Sequence, residues 1–325
     1  MPREDHVGAY LIRRIIQLIP VLLLASILIF TIMHSIPGDP AITYAGPDAT
    51  PEALAAIRQE MGLDQPLPMQ YLAWLGHVVR LDFGVSYTSK YPVWTLIQQK
   101  AGATFELAVA AALLQVIIGI PLGLIAALNQ RRLPDFIISA YNAIAMSVPN
   151  FWLGILLIIL FSLELGMLPP GGRIEFMSNP GIAWKSLVMP ALSLAVFASA
   201  TVARFTRAAM LEVLGEDYIR TAHAKGLSQR VIVVRHALRN ALIPVITVVG
   251  IHFGYLLGGA VIIESVFAWP GMGRLIMQGI ANRDYTVVQG SLVLFVGVFV
   301  LLNLLIDVSY AFLDPRIRLD ARKSS

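Results

Sequence analysis

The sequence predicts an all-α integral membrane protein with six transmembrane helices and both termini in the cytoplasm. Composition is the first reason: the 325 residues are 57% hydrophobic and only 14% charged, whereas a soluble domain carries about 25% charged residues to face water. Runs free of Asp, Glu, Lys and Arg supply the second, because they approach or exceed the roughly 20 apolar residues that cross a ~30 Å hydrocarbon core. The third is that lysine and arginine fall unequally between alternate loops. The same composition excludes an ordinary cytosolic enzyme and a disordered chain. With no cysteine there is no disulfide framework, thiolate metal site or cysteine nucleophile. A net charge of +4 is too small to suggest a nucleic-acid partner.

The first charge-free run, 15–33, follows Arg13 and Arg14. A cleaved signal peptide is the alternative, but this run exceeds the usual ~7–15 apolar residues, and Ser35-Ile36-Pro37-Gly38-Asp39-Pro40 lacks a small-x-small cleavage site. A retained helix is therefore expected, with 1–34 forming the cytoplasmic N-terminus and first span. Residues 35–106 are expected outside the membrane on the extracytoplasmic side. They open with a turn at 37–40 and continue into a short helix with Thr50 as N-cap, Pro51 at its first position and Gly62 as its stop. Leu54, Ile57 and Met61 share one face of it, which fits a lid packed on neighbouring spans or a docking surface for an external partner.

The remaining runs are 107–128, 136–163, 186–203, 241–263 and 285–306, of which 186–203 is the least regular because of Pro190. Their lack of alternation marks them as helices rather than barrel strands. Together 107–313 form a five-helix core, followed by a cytoplasmic tail, 314–325. With six spans and both ends inside, sixteen of the 24 basic residues lie on the cytoplasmic side, seven of them in the loop 204–240. In that loop 218–225 reads as a short helix, Gly226 suits its left-handed end, and Ser228 starts a second helix running to Asn240. Val231, Val234 and Leu238 form a stripe on the second helix, with Arg235 and Arg239 on another face. A helix-turn-helix of this kind suits a soluble partner that pushes on it, or a basic segment held by anionic membrane lipid.

The segment Tyr218, Ile219, Arg220, Thr221, Ala222, His223, Ala224, Lys225, Gly226, Leu227, followed by Arg235-His236-Ala237-Leu238-Arg239-Asn240-Ala241 and Pro244, resembles the cytoplasmic EAA loop of ABC-importer permeases. Its form is similar to the dipeptide/oligopeptide branch. Further stretches match that branch: 34–40, 211–217, Trp269-Pro270-Gly271-Met272-Gly273-Arg274, Arg283-Asp284-Tyr285 with Val288-Gln289-Gly290, and Asp314-Pro315-Arg316-Ile317-Arg318. The resemblance implies a type I importer permease in the bacterial inner membrane. It also implies the partners: a second homologous permease, two cytoplasmic ATPases that bind ATP and magnesium, and an extracytoplasmic solute-binding protein. The first loop helix would sit in a groove of the ATPase, with the family's glycine carried by Gly226. Arg220 departs from the pattern, standing where Glu is usual, and Arg239 stands near the family's Pro.

No Gly-Lys dipeptide occurs, so the usual phosphate-cradling loop is missing and energy must come from a partner. No cofactor is expected in this chain, and no catalytic or metal-binding residues. The ionisable groups within or beside the spans are Glu106, Glu164, His252, Glu264 and Asp307. The three glutamates fall at outer ends, where an interfacial role suits them, and Asp307 near the inner end. His252 and Glu264 are the candidates for the translocation path; His252, mid-span beside Gly250, Gly254, Gly258 and Gly259, reads either as a satisfied interhelical histidine or as a path-lining group. Gly119, Pro121, Gly123 and Pro149 are candidate hinges, and Trp269 with Met272 a candidate re-entrant plug. Two rivals stand against the importer. An ion-coupled carrier would place charged relays at mid-span, where only His252 occurs. A membrane enzyme would need a metal cluster or nucleophile elbow, and neither is present. The importer's solute stays open among dipeptides, longer peptides, glutathione and nickel.

Overall fold

The apolar runs fold into helices in the computed structural model, which describes the backbone of residues 4–313 except Pro37 and Pro47, and the side chains of residue 14 and residues 16–305. The tail 314–325, the Asp307 side chain and Pro37 of the expected turn lie outside the described residues. Among the described residues thirteen α-helices and two π-helical stretches follow one another, with no β-strand, only a bridge between Val85 and Pro92. The chain divides into two compact units, one of Met1–Thr104 with Pro270–Leu304, the other of Phe105–Trp269 with Leu305–Ser325.

In the first unit, α1 (Glu4–Ser35) holds the first span, and Pro20 does not interrupt it. Asp39 caps α2 (Pro40–Ala45) by accepting from the Ala41 N–H at 2.9 Å, and its carboxylate also pairs with Arg58 of α3 (Pro51–Glu60). The caps of α3 are those the sequence announces: Thr50 Oγ1 accepts from the Ala53 N–H at 3.3 Å, and Gly62 turns left-handed with φ +66°. Leu54, Ile57 and Met61 are its half-buried face. α4 (Leu67–Val79) follows and packs on α1. α5 (Val93–Leu128) begins well before the expected second span, because Gln98, Gln99 and Lys100 occupy its opening turns without ending it. α12 (Met272–Ala281) and α13 (Tyr285–Leu313) complete this unit. Its core joins Phe83, Val93, Ile97, Met272, Leu275 and Val287.

The second unit is built around α8 (Pro180–Leu214), whose apolar window is 78% buried, and Pro190 lies inside it without breaking it. The third span departs from expectation. Instead of crossing straight through 136–163, α6 (Leu133–Ser147) ends at Val148, and Pro149 starts α7 (Asn150–Leu157), which continues as a π-helical stretch, Ile158–Glu164; the two halves are bent by 102°. Proline cannot supply the N–H that would continue the helix, and it pushes the preceding residue out of helical geometry. Pro149 is thus a true break, whereas Gly119 and Gly123 are not hinges. A Cβ at Gly119 would lie 2.7 Å from the Ser199 carbonyl oxygen, and one at Gly123 2.4 Å from that of Ala203. Both glycines let α5 touch the α8 backbone, the usual role of small residues between membrane helices.

α9 (Asp217–Ala224) is followed by one turn, α10 (Gln229–Val231), a π-helical stretch, Ile232–Ala237, and α11 (Leu238–Val266). The expected second loop helix and the fifth span are therefore one continuous helix from Gln229 to Val266. Ser228 stands at the N-cap position, yet its side chain makes no capping bond.

Candidate functional site

The loop 204–240 owes its form to a two-residue apolar face and a glycine. Of the ten residues 218–227, Ile219 and Ala222 are buried, packing with Met210, Ile232, Val233 and Ala237. The other eight are exposed. The helix ends in a complete Schellman motif: Gly226 has φ +75°, its N–H donates to the His223 carbonyl at 2.9 Å, and the Leu227 N–H donates to that of Ala222 at 3.3 Å. Tyr218 OH accepts a 2.8 Å bond from Asn240 Nδ2, tying the start of α9 to α11. Arg220 pairs with Asp217 at 2.5 Å on the exposed face. A rigid, surface-mounted helix with six exposed side chains along 218–225 results.

Of the expected Val231, Val234 and Leu238 stripe, Leu238 packs on the buried cluster, but the first two positions are displaced by one residue. The buried face is Ile232, Val233, Ala237, Ala241 and Val245, while Val231 and Val234 are exposed. The buried positions from Val233 onward recur at four-residue steps across the π-helical stretch Ile232–Ala237. Arg235 and Arg239 are exposed as expected.

His252 stands at the edge of a cavity between α8 and α11. It makes no hydrogen bond to a described residue, contacts the rings of Phe197 (6.2 Å) and Tyr255 (5.8 Å), and lines this cavity of about 290 Å³. Asn150, the first residue after the Pro149 break, reaches the same cavity, and Leu194, Phe197 and Leu256 form its apolar wall. Leu153 is the first residue of α7 whose N–H finds a backbone carbonyl, that of Pro149 at 3.1 Å, so the bend leaves the opening turn of a helix beside the cavity. Glu264 does not face water at an outer end. It is wholly buried, because the chain turns back over the end of α11, with the Trp269 N–H donating to the Glu264 carbonyl at 2.8 Å and Phe267 and Trp269 themselves buried. Glu164 is exposed. Glu106 is held by Arg173, Nη2 to Oε2 at 2.7 Å, an orienting pair at the start of the second unit. Trp269 and Met272 are both buried, Met272 donating its N–H to Thr104 Oγ1 at 2.8 Å as α12 begins.

Two buried carboxylates have structural roles that the sequence reading did not assign to them. Asp135, one residue outside the charge-free run, accepts from Arg207 Nε (2.7 Å) and Nη2 (2.8 Å) and from the Arg131 N–H (2.9 Å), clamping α6 to α8. Asp284 accepts from Ser86 Oγ (2.6 Å), the Thr88 N–H (3.1 Å) and Thr88 Oγ1 (2.9 Å), and also from Thr286 Oγ1 (3.0 Å) and the Val287 N–H (3.3 Å). Burial pushes the Asp284 carboxyl up, but these bonds outweigh it and hold the group below its ordinary value. An Asp just before an apolar helix is a readable capping signal; its partners near residue 86 are not.

Broken and continuous apolar helices around α8, with a capped helix at the surface, define a multi-span membrane protein. Residues 119–319 match the family described as binding-protein-dependent transport system inner membrane component, and residues 8–108 match its N-terminal companion. The chain belongs to that family. Among its relatives is the glutathione transport system permease protein GsiC of Escherichia coli (strain K12), 43% identical over 309 residues, covering 95% of this chain and 98% of the relative. The GsiC protein of Salmonella choleraesuis (strain SC-B67) is 41% identical over the same length. Among solved structures, the inward-facing MetNI methionine ABC transporter shares the fold, with a TM-score of 0.56 at 22% identity over 67% of this chain and 96% of that one. The chain is thus an inner-membrane permease of an ABC importer.

Proposed function

We propose that this permease carries small peptides into the cytoplasm, with glutathione the first solute to test and dipeptides the next. Identity of 43% along almost the whole chain to a glutathione permease carries this reading. Cytoplasmic subunits would bind and hydrolyse ATP with magnesium, a second homologous permease would complete the pathway, and an extracytoplasmic binding protein would deliver solute. Tyr218 to Gly226 would dock in the ATPase, because the helix is exposed on one face and anchored on the other. Solute would pass the His252 and Asn150 cavity, whose polar groups interrupt an otherwise apolar wall. Glu264, being buried, would serve the fold of the α11 end rather than the path.

Uptake of labelled glutathione, dipeptide and nickel in cells with and without this chain tests the reading. Chain-dependent, ATP-dependent peptide uptake is expected. Nickel uptake alone would overturn the solute class. Uptake that persists after ATP depletion, with the proton gradient intact, would overturn the importer reading in favour of a solitary carrier.

A further inference from the structure

Two helices of opposite character lie between the first two spans. α3 exposes Glu52, Arg58, Gln59 and Glu60, as a helix in water should. α4 contains no Asp, Glu, Lys or Arg. One of its faces, with Tyr71, Trp74 and Val78, is half-buried against the protein. The opposite face presents Met69 (56% exposed), Leu72 (60%) and Val79 (76%), with Ala73 and Gly76 between them. A helix packed on one side and solvated on the other should be polar on the second, yet among the exposed residues of α4 only His77, near its end and paired with Asp82 at 3.0 Å, is polar.

Its depth follows from its partners on α1, whose span Ile16–Ser35 is only 17% buried and so presents an apolar surface outward. His34 Nε2 lies 3.3 Å from Gln70 Oε1, the Phe30 ring lies 5.4 Å from Tyr71 and 5.6 Å from Trp74, and Ser26 Oγ shares a 2.9 Å hydrogen bond with Tyr71 OH. At about 1.5 Å per residue, Phe30 sits roughly 7 Å and Ser26 roughly 13 Å inside Ser35. Interfacial helices bury their apolar faces about 5–10 Å into the boundary between headgroups and acyl chains; the Phe30 contacts hold α4 at that depth, and the Ser26 contact reaches a few Å beyond it.

We propose that α4 lies in the outer leaflet rather than in the water outside it, with Met69, Leu72 and Val79 against lipid acyl chains and continuous with the outward surface of α1. The Ser26–Tyr71 bond then satisfies both hydroxyls where water is scarce. Residues 67–79 leave the extracytoplasmic region, and its water-exposed part shrinks to the segments on either side.

The chain has no cysteine, so Leu72→Cys and, as reference, Glu60→Cys each place a single thiol in the full chain, reconstituted with its partner subunits in phospholipid vesicles. Leu72→Cys should react with a charged maleimide roughly tenfold more slowly than Glu60→Cys, as a thiol without water does, and a polarity-sensitive dye attached there should be quenched by spin-labelled phospholipid. Equal labelling rates would overturn the proposal. So would slow labelling without lipid quenching, which would place another protein on this face. Met69→Cys, on the same face, repeats the measurement should Leu72→Cys fail to assemble.

Discussion

Asp284 shows how one residue can hold a loop whose sequence carries little sign of order. Five donors converge on its carboxylate, and three of them come from Ser86 and Thr88. Because the folded carboxyl is held below its ordinary value of 3.8, it contributes stability that is complete above that value and is lost as pH falls through the lower folded one. Amide exchange in 84–92 should therefore stay slow at about pH 5 and rise only under stronger acid. Asp284→Asn removes the charge and one acceptor, and should cost about 1–3 kcal/mol while flattening that acid dependence. Exchange in 84–92 unchanged by the substitution would show that the network does not hold the loop. The sequence makes the N-cap half of this anchor legible, since Asp284 precedes an apolar run. Ser86 and Thr88 are separated from it by nearly 200 residues, and no local pattern joins them.

Among the elements, two glycines do opposite work and should respond differently. At Gly123 the obstacle is the α8 backbone 2.4 Å from a Cβ, so Gly123→Val should separate α5 from α8 and cost about 1–3 kcal/mol. Gly258→Ala, in open space on α11, is the control and should be neutral; equal melting shifts for the two would contradict the packing argument. At Gly226 a Cβ would meet nothing, so the penalty is purely the φ of +75°. Gly226→Val should cost about 1 kcal/mol or more and loosen the Schellman end, and Gly226→Asn, a residue that tolerates this conformation, should cost less. The expected result for the valine variant is retained ATP hydrolysis with reduced uptake; normal uptake would contradict it. Elements marked by a cap or stop were legible in the sequence: Thr50, Gly62 and Gly226 all stand where they were read. The elements that were misread share a cause. The 102° bend at Pro149 lies within an unbroken apolar run, and the stripe positions displaced by one residue fall at the π-helical stretch 232–237, which composition does not record. Hydropathy reports how much apolar surface a segment carries, and a bend or a changed helical pitch leaves that amount untouched.

At the scale of the whole molecule, the central expectation is orientation: sixteen of 24 basic residues on the side of the loop 204–240 place α9 in the cytoplasm. The seven in that loop matter most, because short loops near span ends set topology. On that expectation the exposed face of α9 would be open to a cytoplasmic partner, while Ile219 and Ala222 fix its base to the helix that follows. Ala224 is exposed in the last turn of α9, and Glu60 is exposed on α3, which the same charge distribution leads one to expect on the opposite side. In a chain without cysteine, Ala224→Cys and Glu60→Cys each report one location without background. In intact cells a membrane-impermeant thiol reagent should label Glu60→Cys and spare Ala224→Cys. In inverted vesicles the two should exchange behaviour, and a short bifunctional linker should join Ala224→Cys, but not Glu60→Cys, to the ATPase subunit. Labelling of Ala224→Cys from outside would reverse the topology and remove the docking role of 218–226 with it. Protection from outside without any cross-link to the ATPase would leave the topology standing and assign the exposed face of α9 to the lipid surface, where its exposed Arg220 and Lys225 and the neighbouring Arg235 and Arg239 would meet anionic headgroups.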